Sequence, residues 1–138
     1  MKLVLQLPCH DEAGQLPATL AALPRQVPGF DSVQWLVIDD GSTDGTAEVA
    51  RAAGVDLVLR LPEHRGLARA FACGLEASCR LGADVIVNVD GDNQYSSDFI
   101  GALCEPLVAG RADIVVGCRP IARIAHFSAL KKCLQRLG

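Results

Sequence analysis

Short runs of aliphatic and β-branched residues alternate with helical patterns along this chain, and polar residues gather just after each run. Lys2–Leu7 (KLVLQL), Val33–Ile38 (VQWLVI), Val55–Leu59 and Asp84–Val89 (DVIVNV) read as strands, and Ile114–Val116 begins a fifth. Between the first two, Leu16, Leu20 and Leu23 recur at spacings of four and three, as one face of a helix does. Thr46–Ala53 reads as a short helix stopped by Gly54, and Gly66–Leu81 as an Ala-rich helix followed by Gly82. Ser96 or Ser97 can cap a helix running to about Ala109, and His126–Leu137 carries Phe127, Leu130, Leu134 and Leu137 on one stripe. This β-α alternation implies an α/β fold of three layers, with a mostly parallel sheet and helices on both faces. The nearly unbroken apolar character of the fourth strand agrees with a sheet covered on both sides.

The chain has 138 residues, half of them hydrophobic, which suffices for one buried core and points to one domain, residues 1–138. That composition excludes a disordered chain, a collagen-like repeat and a coiled coil. No apolar run approaches the ~18 residues of a membrane helix. No charged-then-apolar leader is present, so no signal peptide is expected. The net charge of -3 hides an asymmetry. Residues 1–118 hold 8 of the 13 basic residues and all 16 acids, a net of -8. Arg119, Arg123, Lys131, Lys132 and Arg136 follow without an acid, either as a solvated helix face or as a surface for phosphate or an anionic membrane. Of the six cysteines, Cys73, Cys79, Cys104 and Cys118 fall in apolar stretches. They read as buried small hydrophobes in a reducing cytoplasm, not as disulfides or zinc ligands; Cys9 and Cys133 complete the set.

In open α/β sheets, ligands collect at the carboxyl ends of the strands. Each of the five expected strand ends carries charge: Pro8–Glu12, Asp39–Thr46, Glu63–Gly66, Asp90–Gln94 and Gly117–Arg119. Asp90 and Asp92 stand two apart, so on an extended backbone they point the same way. Two converging carboxylates repel one another, which invites a divalent cation. Gly91 lets the backbone approach a ligand, and Gln94 adds a neutral oxygen. Hard oxygen ligands suit Mg2+ or Mn2+, with positions left for phosphate.

Asp44 or Ser42 can cap the helix near Thr46, with Gly41 and Gly45 turning the chain, so Asp44 is read as structural. Asp39 and Asp40 are not needed for capping and can accept hydrogen bonds from a nucleobase N–H or ribose hydroxyls. His10 and His64 are read as loop contacts, and His126 as packing or helix-end support. Dinucleotide and P-loop motifs are absent, as is the G-x-S-x-G elbow of hydrolases.

Taken together, these segments resemble the family-two glycosyltransferases of GT-A fold, closest to the dolichyl- or polyprenyl-phosphate sugar transferase branch. Leu7–Glu12 resembles the P-x-Y-N-E segment, with His10 and Asp11 replacing the aromatic and the Asn. Val37–Thr46 (VIDDGSTDGT) is similar to the nucleotide-binding turn almost letter for letter. His64–Ala68, which includes Arg65, resembles N-x-G-x-A, with His64 in place of Asn. Val89–Tyr95 (VDGDNQY) resembles the D-x-D-x-Q metal motif, and Val116–Arg119 the V-G-S-R strand end.

The resemblance implies that Pro8, His10, Glu12 and Asp40 line the base and ribose pocket, with Asp39 beside them. It implies that Asp90 faces ribose or metal, that Asp92 and Gln94 hold the ion bridging the donor diphosphate, and that Arg119 pairs with phosphate. The implied reaction is metal-dependent, inverting transfer from a UDP- or GDP-linked sugar, with a membrane lipid phosphate as acceptor. No nucleic-acid partner is expected. The implied location is cytoplasmic, peripheral at the inner face of the membrane. Members of the family are much longer, so the resemblance also implies the donor half of a larger protein. Two rival readings differ in class: a non-catalytic nucleotide-binding module, and a sugar nucleotidyltransferase, whose Gly-rich basic turn Pro8–Glu12 lacks.

Overall fold

The computed structural model describes residues 1–90 and 99–117. In chain order the elements are β1 (Lys2–Cys9), α1 (Leu16–Ala22), β2 (Ser32–Asp39), α2 (Thr46–Ala52), β3 (Leu57–Arg60), α3 (Leu67–Arg80), β4 (Val85–Asn88) and α4 (Ile100–Val108). The four strands form one sheet in the order β3-β2-β1-β4, and every neighbouring pair is parallel. β1 is central, running beside β2 from Lys2↔Ser32 to Cys9↔Asp39 and beside β4 from Leu3↔Val85 to Gln6↔Asn88.

Alternate side chains of β1 feed two cores, as period-two geometry requires. Leu3, Leu5, Leu7 and Cys9 pack with Leu16, Leu20 and Leu23 from α1 and its end, Ala50 of α2, and Ile100 and Cys104 of α4. Val4 packs on the opposite face with Leu36, Ile38 and Ala70 of α3. The expected three-layer, parallel α/β arrangement is therefore present. Gly54 and Gly82 follow α2 and α3 at positive φ (77° and 73°), ending those helices where the pattern placed the stops.

The connection from β3 through α3 to β4 carries the chain from one edge of the sheet to the other. The chain leaves β1 toward β2, and β4 occupies β1's other flank. The carboxyl ends of β1 and β4 therefore flank a topological switch point, where open α/β sheets bind ligands.

Several boundaries differ from the sequence-based expectation. β3 begins at Leu57 and not at Val55, because the Asp56 carboxylate accepts the Trp35 N–H at 2.7 Å, where a ladder bond would otherwise form. Arg25, stacked 3.5 Å over the Trp35 ring, also binds that carboxylate. The fifth strand is absent at Ile114–Val116: residues 114–117 carry no strand, and Ile114 and Val116 are 82% and 78% exposed. A β-branched run becomes a strand only when a neighbour pairs with it, and no described strand does so here. Burial of the cysteines also differs. Cys9 and Cys104 are buried, but Cys73 is half-buried and Cys79 exposed. Cys79 lies opposite the sheet-facing stripe of α3 set by Ala70, Gly74 and Ser78. The expected caps Ser96 and Ser97, the helix His126–Leu137, Cys118 and Cys133 lie outside the described residues.

Candidate functional site

The loops after β1, β2 and β3 meet above the carboxyl end of the sheet. The turn after β1 is stapled to the turn after β2 by a set of hydrogen bonds. Ser42 Oγ accepts the Asp11 N–H (3.0 Å), Thr46 Oγ1 the Glu12 N–H (3.0 Å), Asp44 Oδ2 the Ala13 N–H (2.9 Å) and Asp11 Oδ1 the Thr43 N–H (2.8 Å). Asp11 takes a left-handed backbone (φ 51°), a conformation that Asp and Asn tolerate better than most residues. Asp44 also accepts the Thr46 N–H (3.0 Å), beside the Gly45 N-cap of α2, in keeping with a structural role. The Thr46 hydroxyl and the Ala13 amide hold the Asp44 carboxyl below its ordinary value.

Asp39 and Asp40 are both buried, with different internal partners. Asp39 accepts the Ser42 N–H (2.9 Å) and lies 3.3 Å from Arg60 Nε. Arg60 in turn donates to the Ser42 carbonyl (2.9 Å) and reaches Glu48 at 3.5 Å. Asp40 does serve a helix end, contrary to expectation. Its carboxylate accepts the N–H groups of Arg65 and Gly66, each at 2.8 Å, and Gly66 is the N-cap of α3. A carboxylate there is favoured by the unpaired amides and dipole of a helix start. Local spacing concealed this because Asp40 and Gly66 meet only once β2 and β3 pair.

The same carboxylate binds His64, with Nδ1 2.9 Å from Asp40 Oδ2. The Asp40 carbonyl oxygen lies 2.9 Å from His10 Nδ1. The two imidazoles stack with ring centroids 3.9 Å apart and an interplanar angle of 28°. This pair went unseen in the sequence. Its only signal was that both histidines follow strands, and those strands are not neighbours in the sheet.

A pocket opens beside the pair, lined by Pro8, Cys9, His10, Glu12, Asp40 and His64, with Leu67 and Ala70 of α3. Burial pushes the Cys9 thiol well above its ordinary pKa, and the charge and hydrogen bond of Glu12 push it further. Cys9 is thus a neutral wall, unsuited to act as a thiolate nucleophile. The Arg65 side chain is exposed and pairs with Glu63 at 2.5 Å. Asp90 stands two residues past β4, on the switch-point side of the sheet, and is exposed. The other expected ligand and phosphate residues, Gly91, Asp92, Gln94 and Arg119, lie outside the described residues. Among the described residues no three His, Cys, Asp or Glu side chains are close enough to hold a metal ion.

Residues 6–131 match Glycosyl transferase family 2. The chain belongs to that family. An undecaprenyl-phosphate mannosyltransferase of Micrococcus luteus is 29% identical over 144 residues, covering 100% of this chain and 57% of the relative. A polyprenol monophosphomannose synthase of Mycolicibacterium smegmatis is 31% identical over 122 residues, covering 82% of this chain and 43% of the relative. The chain thus spans about half the length of these relatives. Among solved structures, glucosyl-3-phosphoglycerate synthase of Mycobacterium tuberculosis, crystallised with Mn2+, UDP and glucosyl-3-phosphoglycerate, superposes with a TM-score of 0.63. It is 26% identical, over 78% of this chain and 39% of that one. The fold of this family 2 chain is that of the GT-A glycosyltransferases. No helix among the described residues is long and apolar enough to cross a membrane.

Proposed function

We propose that this family 2 chain binds a nucleoside-diphosphate sugar and forms the donor half of an inverting glycosyltransferase with a polyprenyl-phosphate acceptor. The observation that carries this reading is the placement of one pocket. Pro8, His10, Glu12, Asp40 and His64 line it on the β2 side of the β1 end, and Asp90 follows β4 on the other flank of β1. Base and ribose occupy that pocket, Arg65 stands at its edge, and Asp39 braces the turn beneath through Arg60. The diphosphate then extends toward Asp90. The names of the two bacterial relatives favour a lipid phosphate acceptor, and the Mn2+ and UDP of the mycobacterial synthase favour the donor class.

Asp90, Asp92 and Gln94 offer the hard oxygen ligands that Mg2+ or Mn2+ prefers, and Arg119 is the cation for a donor phosphate. When bound, such an ion supplies Lewis-acid neutralisation of the leaving diphosphate. In the transfer, an acceptor phosphate oxygen bonds to the anomeric carbon as the bond from that carbon to the diphosphate oxygen breaks, and the nucleoside diphosphate departs. A lipid phosphate is already ionised, so this acceptor needs no general base. The basic stretch containing Lys131, Lys132 and Arg136 suits an anionic membrane face, where such a lipid is found.

Calorimetry with nucleoside diphosphates in Mn2+ and in EDTA tests the donor site. Binding is expected in Mn2+, and Asp92→Ala should weaken it by about 10- to 100-fold with Tm nearly unchanged. Equal binding in EDTA, or a large fall in Tm with no loss of affinity, contradicts the proposed role of Asp92.

A further inference from the structure

We propose that the open edge of β3, with the leucine groove beside it, docks a second copy of this chain about a two-fold axis at Leu59.

β3 ends the sheet, and among the described residues no strand lies beyond it. The Leu61 N–H donates inward to the Asp39 carbonyl at 2.8 Å. Backbone groups alternate along a strand, so Leu57 and Leu59 also bond toward β2, while Val58 and Arg60 turn N–H and C=O to the open side. Such a row is a template for another strand, and proteins that keep it free guard it with outward charges, prolines or bulges. The only charged side chain between Leu57 and Arg60 is Arg60 itself, and it is bent back onto Asp39 and the Ser42 carbonyl.

On the α3 face of this edge lies a groove of about 400 Å3, floored by Leu57, Leu59 and Leu61 and walled by Cys73, Ala77 and Leu81. It shares no lining residue with the pocket at the strand ends. Leu57, at its rim, is 39% exposed. α3 packs chiefly on β1 and β2 and leaves this flank of the sheet uncovered.

Geometry and charge both favour a second copy as the occupant. A two-fold axis sets β3 antiparallel to its copy. Only the register centred on Leu59 matches leucine with leucine throughout: Leu59 meets Leu59, and Leu57 meets Leu61. In that register Val58 of each copy exchanges N–H···O=C bonds with Arg60 of the other, and Leu59 falls in a non-hydrogen-bonded pair, where side chains approach most closely. Pro62, which has no N–H, ends the ladder just beyond. The rim of the groove carries Glu76 and Arg80, exposed and one turn apart on α3. A rim of one sign would repel its own copy. The axis runs the two α3 helices in opposite directions, so acid and base follow in opposite order on the two sides, which is self-complementary charge.

Sedimentation velocity of the chain in reducing buffer, from about 5 to 200 µM, tests the proposal. The edge is short, so the dimer should dissociate with a constant on the order of 10 µM. Val58→Pro removes an N–H that no bond to β2 uses. Symmetry deletes two hydrogen bonds at once, so dimerisation should weaken about tenfold or more while the circular dichroism of the fold is kept. Leu57→Lys is the second variant, should the first fail to fold, and its charge in the leucine layer should abolish the dimer. Mild oxidation reads the register. Leu59→Cys should give more disulfide-linked dimer than the parent chain, and Leu57→Cys should not, because across the axis Leu57 faces Leu61. A chain that stays monomeric to about 200 µM overturns the assignment. So does a dimer that a folded Val58→Pro or Leu57→Lys variant leaves intact, or a Leu57→Cys cross-link as efficient as that of Leu59→Cys.

Discussion

Gly41 has φ +69°, and a Cβ there would lie 2.4 Å from the backbone of both Glu63 and His64. No rotamer relieves a clash between Cβ and backbone, so the loop carrying His64 would have to move. Gly41→Ala should cost about 2 to 4 kcal/mol in stability, from overpacking and left-handed strain together. Chemical denaturation measures it, and a loss below ~1 kcal/mol would show that the loop gives way freely. Nucleotide affinity should fall in the same variant because His64 is displaced. At this scale part of the turn Val37–Thr46 was legible in the sequence, since Gly41, Gly45 and Asp44 answer local backbone needs. The second duty of Asp40 was not. Its partners Arg65 and Gly66 come from a loop that only the β2–β3 pairing brings close. The same holds for the His10–His64 stack.

The loops after β1 and β2 behave as one unit, because Asp44 holds Ala13 from one and Thr46 from the other. Hydrogen bonds from the Thr46 hydroxyl and the Ala13 amide lower the Asp44 pKa in the folded state. A carboxyl whose folded pKa is depressed stabilises the fold above its unfolded value, and that contribution is lost as pH falls through the lower folded value. The amide resonances of Ala13 and Thr46 should therefore titrate together in NMR, with a midpoint below the ordinary ~3.9 of Asp. Asp44→Asn should abolish that titration. A midpoint at or above the ordinary value would mean that the staple is not formed in solution. Among whole elements, the strands and helices up to α3 followed from periodicity and glycine stops. The run at Ile114–Val116 did not become a strand, because pairing and not residue type decides that outcome.

Across the whole molecule, the order β3-β2-β1-β4 places the ends of β1 and β4 on either side of one crevice. Charged residues at successive strand ends pointed to that edge of the sheet before any topology was known. Periodicity carries no information on strand order, so which of those ends are neighbours could not be read from it. His10, Glu12, Asp40 and His64 converge on one pocket because the loops after β1, β2 and β3 fold over the same side. A crystal structure of the chain with Mn2+ and a nucleoside diphosphate tests that convergence directly. The base should lie in the pocket against His10 and His64, with Mn2+ bound by Asp90 and Asp92 and bridging the diphosphate. A nucleotide seated elsewhere, or a diphosphate with no ion at Asp90, would contradict the account.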